Sequence, residues 1–279
     1  MEMRRGLWSK IVDLAVEPGT VALWWLYQSG VVLKSPGGTV LAVDPYLSDA
    51  VVRSYNQPRH VPVPLDPGEA ELDALLATHS HEDHLDPDSI VPLMSPAATT
   101  FVGPPMAVEK VLARGVDAAR TTAVRRGDEI RVGDFVVKAV HARHMVAVEP
   151  TPDAVGYLVE AGGVTLYHSG DTEYDSEIVA DTRGVEVSMI SINGTGGNMN
   201  AHEAAMLAWR QGARLAVPFH YGLWRDSDYG PTATIDPRLF VETYLRLEPG
   251  GATLLLEPAR AVVIAAGGSI VEGDERAGA

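Results

Sequence analysis

From Thr78 to His84 the chain reads Thr-His-Ser-His-Glu-Asp-His, which places three imidazoles and two carboxylates within seven residues. His79 and His81 stand two apart, so on extended backbone their rings project to the same side. Asp83 and His84 follow where the chain turns into a helix, and two pairs of ligands result. Neutral imidazole and carboxylate suit borderline and harder divalent cations, so the donor set accepts Zn, Mn, Fe, Co or Ni. A cluster this dense is costly to pack with nothing to coordinate. Its other reading is a polar surface loop. The chain has no cysteine, which excludes disulfides, thiolate ligands and a cysteine nucleophile.

Two cations need further ligands, and the ends of later strands offer them. His144 follows the run Phe135–His141, Asp171 follows Val164–Tyr167, and His220 follows Leu215–Pro218. Each alone is weak, since a lone strand-end His is commonly structural and Gly-Asp-Thr is commonly a turn. Their recurrence changes the weighting. His141 stands three before His144, and either can rotate inward from the strand end. His168 reads as a buried structural residue or a support behind a ligand. His202, in a first helical turn, has the cleft within reach, and His60, among prolines, lines an entrance or is simply solvated. Gly194–Asn198 reads either as an amide-rich nest for an anion or as a flexible loop, without a nearby basic residue for a phosphate. Asn198 is a candidate substrate contact.

The elements that must position these groups follow from turn signals. Val21–Tyr27, Val31–Lys34 and Thr39–Val43 are apolar or β-branched runs split by Gly30 and by Pro36-Gly37-Gly38, a β-meander. Leu72–Ala77 ends in the His cluster, and Asp86-Pro87 has the form of an N-cap and first-turn pair, predicting a helix there. A strand near Thr99–Val102 and a helix Met106–Arg114 come next. Hairpins turn at Gly133-Asp134 and Gly162-Gly163, and the strand Val185–Ile192 ends at Asn193-Gly194. Asn200 and Glu203, at capping-box spacing, open a helix over Ala201–Arg210 that Gly212 closes. Asp236-Pro237 opens another helix before a C-terminal strand pair. The order, β-rich then helical, occurs twice and implies an α/β protein of two packed sheets with helices outside.

The chain has 279 residues, 46% hydrophobic and 21% charged, which suits one domain over 1–279 with a sizeable core. Residues 1–16 read as a short amphipathic helix, because Lys10 and Asp13 interrupt the apolar positions that a signal segment would keep continuous. Residues 273–279 are expected to form a disordered tail. A net charge of −15 repels nucleic acid and anionic membranes, so no nucleic-acid or membrane partner is expected. A small-molecule substrate is expected, with a homo-oligomer possible through the Trp8–Ala15 stretch. No apolar run approaches the roughly 20 residues of a membrane span, so a cytoplasmic location is expected. The run from Asn56 to Pro67, with four prolines, reads as a loop beside the site.

The ordered set HxHxDH, later His, later Asp, later His resembles the metallo-β-lactamase superfamily. That resemblance implies a four-layer αβ/βα sandwich of two mixed sheets with outer helices. It implies that His79, His81 and His144 hold one metal, that Asp83, His84 and His220 hold the other, and that Asp171 bridges them. Asp44, in Val43-Asp44-Pro45, looks like the superfamily's early aspartate, hydrogen-bonded behind the metal loop. The resemblance narrows to the L-ascorbate-6-phosphate lactonase-like branch. Its hallmarks stand here as Leu23-Trp24-Trp25-Leu26, Lys34-Ser35-Pro36-Gly37-Gly38-Thr39, Tyr167-His168-Ser169-Gly170-Asp171 and Val217-Pro218-Phe219-His220, within a match from Glu17 to Trp224. The chain departs from the lactonases at His144, around which they carry acidic residues, and in the shorter segment Tyr46–Pro67.

What the resemblance implies is a hydrolase with two divalent cations, zinc as in the wider superfamily or manganese as in the lactonases. The nucleophile would be a bridging hydroxide, with Asp83 orienting it or carrying a proton to the leaving oxygen. A lactone or ester of a small sugar-like molecule, phosphorylated or not, is the first substrate reading. Phosphodiester cleavage is the second. A diiron redox role fits less well, because that branch usually has Glu where His81 stands.

Overall fold

Strand β1 (Thr20–Trp25) is buried along its whole length, and its alternation explains why. Val21, Leu23 and Trp25 face one apolar cluster, while Ala22, Trp24 and Leu26 face another. A strand covered on both faces reads as a continuous apolar run, which is how this one reads. The computed structural model describes residues 6–146, 149–228, 233–234 and 236–273.

The first sheet continues through β2 (Val31–Lys34), β3 (Val40–Val43), β4 (Ala74–Leu76), β5 (Thr100–Gly103) and β6 (Thr121–Ala123). The second begins with β7 (Glu129–Val132), β8 (Phe135–His141), β9 (Val155–Ala161) and β10 (Val164–His168), then β11 (Val187–Ser191), β12 (Leu215–Phe219) and β13 (Ala252–Thr253). The chain then returns to the first sheet with β14 (Ala261–Ala265) and β15 (Ser269–Gly273). The orders are β15-β14-β1-β2-β3-β4-β5-β6 and β13-β12-β11-β10-β9-β8-β7. Both sheets are mixed. The first is antiparallel from β15 to β3 and parallel from β3 to β6. The second is parallel from β13 to β10 and antiparallel from β10 to β7.

Between the sheets lies the main core, where Leu23, Leu33, Leu41 and Leu76 meet Phe135, Tyr157, Val159, Met189 and Val217. Each such fully buried side chain stabilises the fold by roughly 1.5–3 kcal/mol. Helices α1 (Leu7–Asp13), α3 (Ile90–Leu93) and α4 (Pro105–Leu112) cover the outer face of the first sheet. On the second sheet the cover is α5 (Ser176–Thr182), α6 (Ala201–Gln211) and α7 (Arg238–Leu247). The short α2 (Val51–Tyr55) packs near the cavity mouth. The layers are therefore helix, sheet, sheet, helix, as the resemblance implies.

Several local expectations are met and others are corrected. Asn200 and Glu203 form the capping box of α6, and Gly212 closes it at φ 74°. Asp86-Pro87 opens a helical turn that leads into α3, which itself starts at Ile90: the Asp86 carbonyl accepts from the Ile90 N–H at 3.1 Å and its carboxylate from the Asp88 N–H at 3.1 Å. The same carboxylate also accepts from the Leu47 N–H at 2.8 Å, the Ser48 hydroxyl at 2.7 Å and the Ser89 hydroxyl at 2.6 Å, so it ties two loops together. At the N-terminus the helix covers Leu7–Asp13 and stops short of residue 16, while residues 1–5 of the expected helix lie outside the described residues; its carbonyl end is closed from outside. Buried Lys34 donates to the carbonyls of Ile11, Val12 and Leu14 at 2.9, 2.7 and 2.8 Å, a cation where the helix dipole is negative. Gly273 closes β15, so it is not part of the expected tail. The remainder, 274–279, lies outside the described residues. Helices α2 and α5 were not anticipated; neither carries a long amphipathic pattern.

Candidate metal centre

The candidate ligands gather at one end of the sandwich, where strands of both sheets stop. Asp44 follows β3, the His loop follows β4, His144 follows β8, Asp171 follows β10 and His220 follows β12. In open α/β sheets ligands bind outside the carboxyl ends of the strands, because only there do several loops converge. Gly170 lets the two sheets meet: a Cβ at this position, φ 57°, would lie 2.6 Å from the Thr78 side chain. Asp44, His220 and Gln28 all adopt left-handed backbone, at φ 49°, 65° and 47°, a conformation that non-glycine residues enter at a cost and that clusters at functional sites.

Four of the five imidazoles, His79, His81, His84 and His144, turn one ring nitrogen to an acceptor of the protein and the other inward. His84 Nδ1 lies 2.8 Å from Asp44 Oδ2. His81 Nε2 lies 2.8 Å from the Glu149 carbonyl, and His144 Nδ1 lies 3.3 Å from the Gly197 carbonyl. His79 Nδ1 lies 3.1 Å from Thr78 Oγ1, which itself donates to Asp44 at 2.6 Å and so is left as an acceptor. These partners assign the ring protons to the outer nitrogens, leaving lone pairs on the inner ones. The inner atoms converge: His79 Nε2 and His144 Nε2 lie 2.9 and 3.1 Å from His81 Nδ1. His84 Nε2 and His220 Nε2 are 3.2 Å apart and lie 3.3 and 3.1 Å from Asp171 Oδ1. Asp83 Oδ2 completes the second group at 3.7 Å from His84 and 3.5 Å from His220.

Three overlapping sets hold donor atoms within 4.8 Å of one another: His79, His81 and His144; His79, His84 and Asp171; Asp83, His84 and His220. Lone pairs facing lone pairs repel unless a cation lies among them, so this donor set fits divalent metal. The electrostatics differ across the cluster: against burial, Asp171, Asp83 and Asp44 hold His84 well above its ordinary value, so the carboxylates there draw positive charge. Burial, reinforced by His84, His144 and His81 beside it, holds the His79 imidazole well below its ordinary value, hence neutral and ready to ligate. Burial lowers His144 as well. Burial alone would raise Asp171, but His220, His84 and His144 outweigh it and hold the carboxyl well below the usual range. Against the same burial, His84 and then His220 bring Asp83 down to about 2.

His144, not His141, enters the cluster. The His141 ring instead lies 3.2 Å from Asp175 Oδ2, and its backbone N–H donates to Asp181 at 2.9 Å. The strand end is thus pinned outward, and the chain needs three more residues to swing back. His202 is exposed on α6 and bonded to Thr243 at 2.7 Å, away from the cavity lining. His168 is buried against the Ser29 carbonyl at 2.8 Å, a structural role. Asn198 does line the cavity. The Gly194–Asn198 loop is no open nest: the N–H groups of Gly194 and Asn198 are spent on Met199 and Thr195 carbonyls, and the Gly197 carbonyl holds His144.

Gln28 escaped the sequence reading. It is fully buried, with its carboxamide nitrogen 3.4 Å from Asp83 Oδ2 and 3.4 Å from His220 Nδ1. The one signal was a polar residue beside Gly30 at the tip of an otherwise apolar meander. Glu149 was also missed, since its contact to His81 is made by a backbone carbonyl, which no side-chain type announces.

The family model of the β-lactamase superfamily domain matches residues 39–221. The chain belongs to the metallo-β-lactamase superfamily. It is 29% identical over 273 residues to the probable L-ascorbate-6-phosphate lactonase of Escherichia coli strain SMS-3-5, covering 81% of this chain and 77% of the relative. Among solved structures it resembles the isothiocyanate hydrolase from Delia radicum gut bacteria, at TM-score 0.68 and 15% identity over 88% of this chain and 99% of that one. A putative metal-dependent hydrolase from Parabacteroides distasonis follows at 0.64 and 19%, over 85% and 93%. These two likenesses establish the fold. This superfamily member is a metallo-hydrolase. No helix among the described residues is long and apolar enough to cross a membrane.

Proposed function

We propose that this chain opens a lactone, or cleaves a related ester, of a small sugar-like molecule, using two divalent cations that His79, His81, Asp83, His84, His144, Asp171 and His220 would hold. The convergence of inward lone pairs at the floor of an open cavity carries this reading. The cavity holds about 230 Å³, below the roughly 300–1,000 Å³ of drug-sized sites, and so suits a small molecule rather than a polymer. The lactonase name of the E. coli relative supports the substrate class.

When bound, the cations supply a Lewis acid for the carbonyl and a water acidic enough to attack near neutral pH. The residues of the chain do the rest. Asp83, its side chain 18% exposed to the cavity, is ionised at neutral pH and accepts a hydrogen bond from the attacking water, aiming it at the acyl carbon. As the acyl–oxygen bond breaks, the proton passes to the leaving oxygen. Asp44 keeps the His84 ring turned inward by accepting from its Nδ1.

Metal analysis and a substrate panel test this. Zinc or manganese, or iron, cobalt or nickel, should copurify at two per chain. Chelation should abolish lactone hydrolysis and re-addition should restore it. Asp83→Asn should lower kcat by about 10²–10⁴-fold with the fold intact. Full activity after chelation, or fast phosphodiester cleavage with no lactone turnover, would sink the reading.

A further inference from the structure

Away from the imidazoles the cavity wall combines apolar and aromatic side chains, Val51, Tyr55, Val146 and Trp224, with amides and carboxylates. Asn193, 6% exposed at the end of β11, and Asn198 each keep a buried Oδ1 without a partner. Glu149 and Asp228 add carboxylates to the same lining. Among the described lining residues there is no Lys or Arg, and the sequence has none at 147–148, 229–232 or 235. Lys110, beside Glu149, is committed to that carboxylate at 3.0 Å and to the Ser80 carbonyl at 2.7 Å. The loop that might have cradled an anion spends two of its N–H groups internally.

A phosphate monoester brings nearly two negative charges and only acceptor oxygens, and here it would meet carboxylates without an Arg fork or ammonium to pair with. Hydroxyl groups can donate to the carboxylate oxygens of Glu149 and Asp228 on this wall, which a phosphate cannot do. We infer that the part of the substrate facing this wall is uncharged and rich in hydroxyl groups, so that the chain takes a polyhydroxylated lactone or ester and rejects its phosphorylated counterpart. This rests on the hydrolytic reading above and parts company with the substrate in the name of the E. coli relative.

Metal-loaded protein should be assayed on pairs of sugar lactones identical except for a terminal phosphate. The unphosphorylated member should be favoured in kcat/KM by about tenfold or more. Equal or better use of the phosphorylated member overturns the inference. Glu149→Gln should narrow the ratio several-fold, chiefly through KM of the phosphorylated member, and an unchanged ratio counts against the wall as its cause. If neither member is opened, the hydrolytic reading fails by itself. Calorimetric titration with the matching cyclic ethers, which have no acyl bond to break, then decides the charge preference: tighter binding of the uncharged ether upholds it, and tighter binding of the phosphorylated ether overturns it.

Discussion

Gln28 and His220 are joined twice, once by the His220 backbone N–H donating to the Gln28 carbonyl at 3.0 Å and once by their side chains at 3.4 Å. The β1–β2 turn therefore sets the direction of a candidate ligand nearly two hundred residues away. Partners that orient a ligand typically contribute 10- to 100-fold in metal affinity. Gln28→Gly removes the carboxamide and should weaken cation binding by about that factor at the Asp83, His84 and His220 group. Chelator-competition titration should show one of two binding steps shifted, and two unshifted steps would refute the role.

His144 and His141 can be separated by the same measurement. His144→Ala should remove one equivalent of metal and nearly all activity. His141→Ala should leave metal content unchanged and kcat within about twofold, as for surface positions. Loss of metal from the His141 variant would reverse the assignment.

Asp44 accepts three buried hydrogen bonds, from the Thr78 N–H and hydroxyl and from His84 Nδ1, and has no solvent exposure. Asp44→Gly, which keeps the left-handed backbone without strain, would leave these donors buried without an acceptor. Removing one partner of such a buried pair costs about 3–5 kcal/mol. Urea unfolding should show the midpoint falling accordingly, and a loss under about 1 kcal/mol would mean that water replaces the carboxylate.

Asp181 provides the pH dependence. Burial would raise its carboxyl, but Arg126 at 2.8 and 2.9 Å and the His141 N–H hold it below the usual range. A depressed carboxylate contributes stability that is present above its unfolded value of about 3.9 and lost as pH falls through the lower folded value. Asp181→Asn should therefore cost about 1–2 kcal/mol at pH 7, and the gap to the parent should close below about pH 3.9. A gap that does not narrow at all between pH 7 and pH 3 would point to lost shape rather than lost charge.

The loop His79–His84 was legible because its chemistry is local: spacing alone puts the rings together. Asp171 and His220 were legible through their recurrence at strand ends. The choice between His141 and His144 was not, because it depends on Asp175 and Asp181 reaching over from α5, a helix too short to leave a periodic signal. The turn at Asp86-Pro87 was legible for its local cap, but the partners of its carboxylate across the loop at Leu47 and Ser48 were not, since sequence proximity does not reveal them. The two sheets followed from turn residues and alternating apolar runs. The pairing of β14 with β1 did not, being set by a return of the chain across more than two hundred residues.

The left-handed backbone at Gln28, Asp44 and His220 changes how any mutational scan of this centre must be read. An alanine placed at these positions keeps the unfavourable φ while losing the contacts that held it, so it reports backbone relaxation together with lost chemistry. Glycine takes that φ freely and is the proper reference there. Alanine serves that purpose at His79, His84 and His144, none of which has a positive φ.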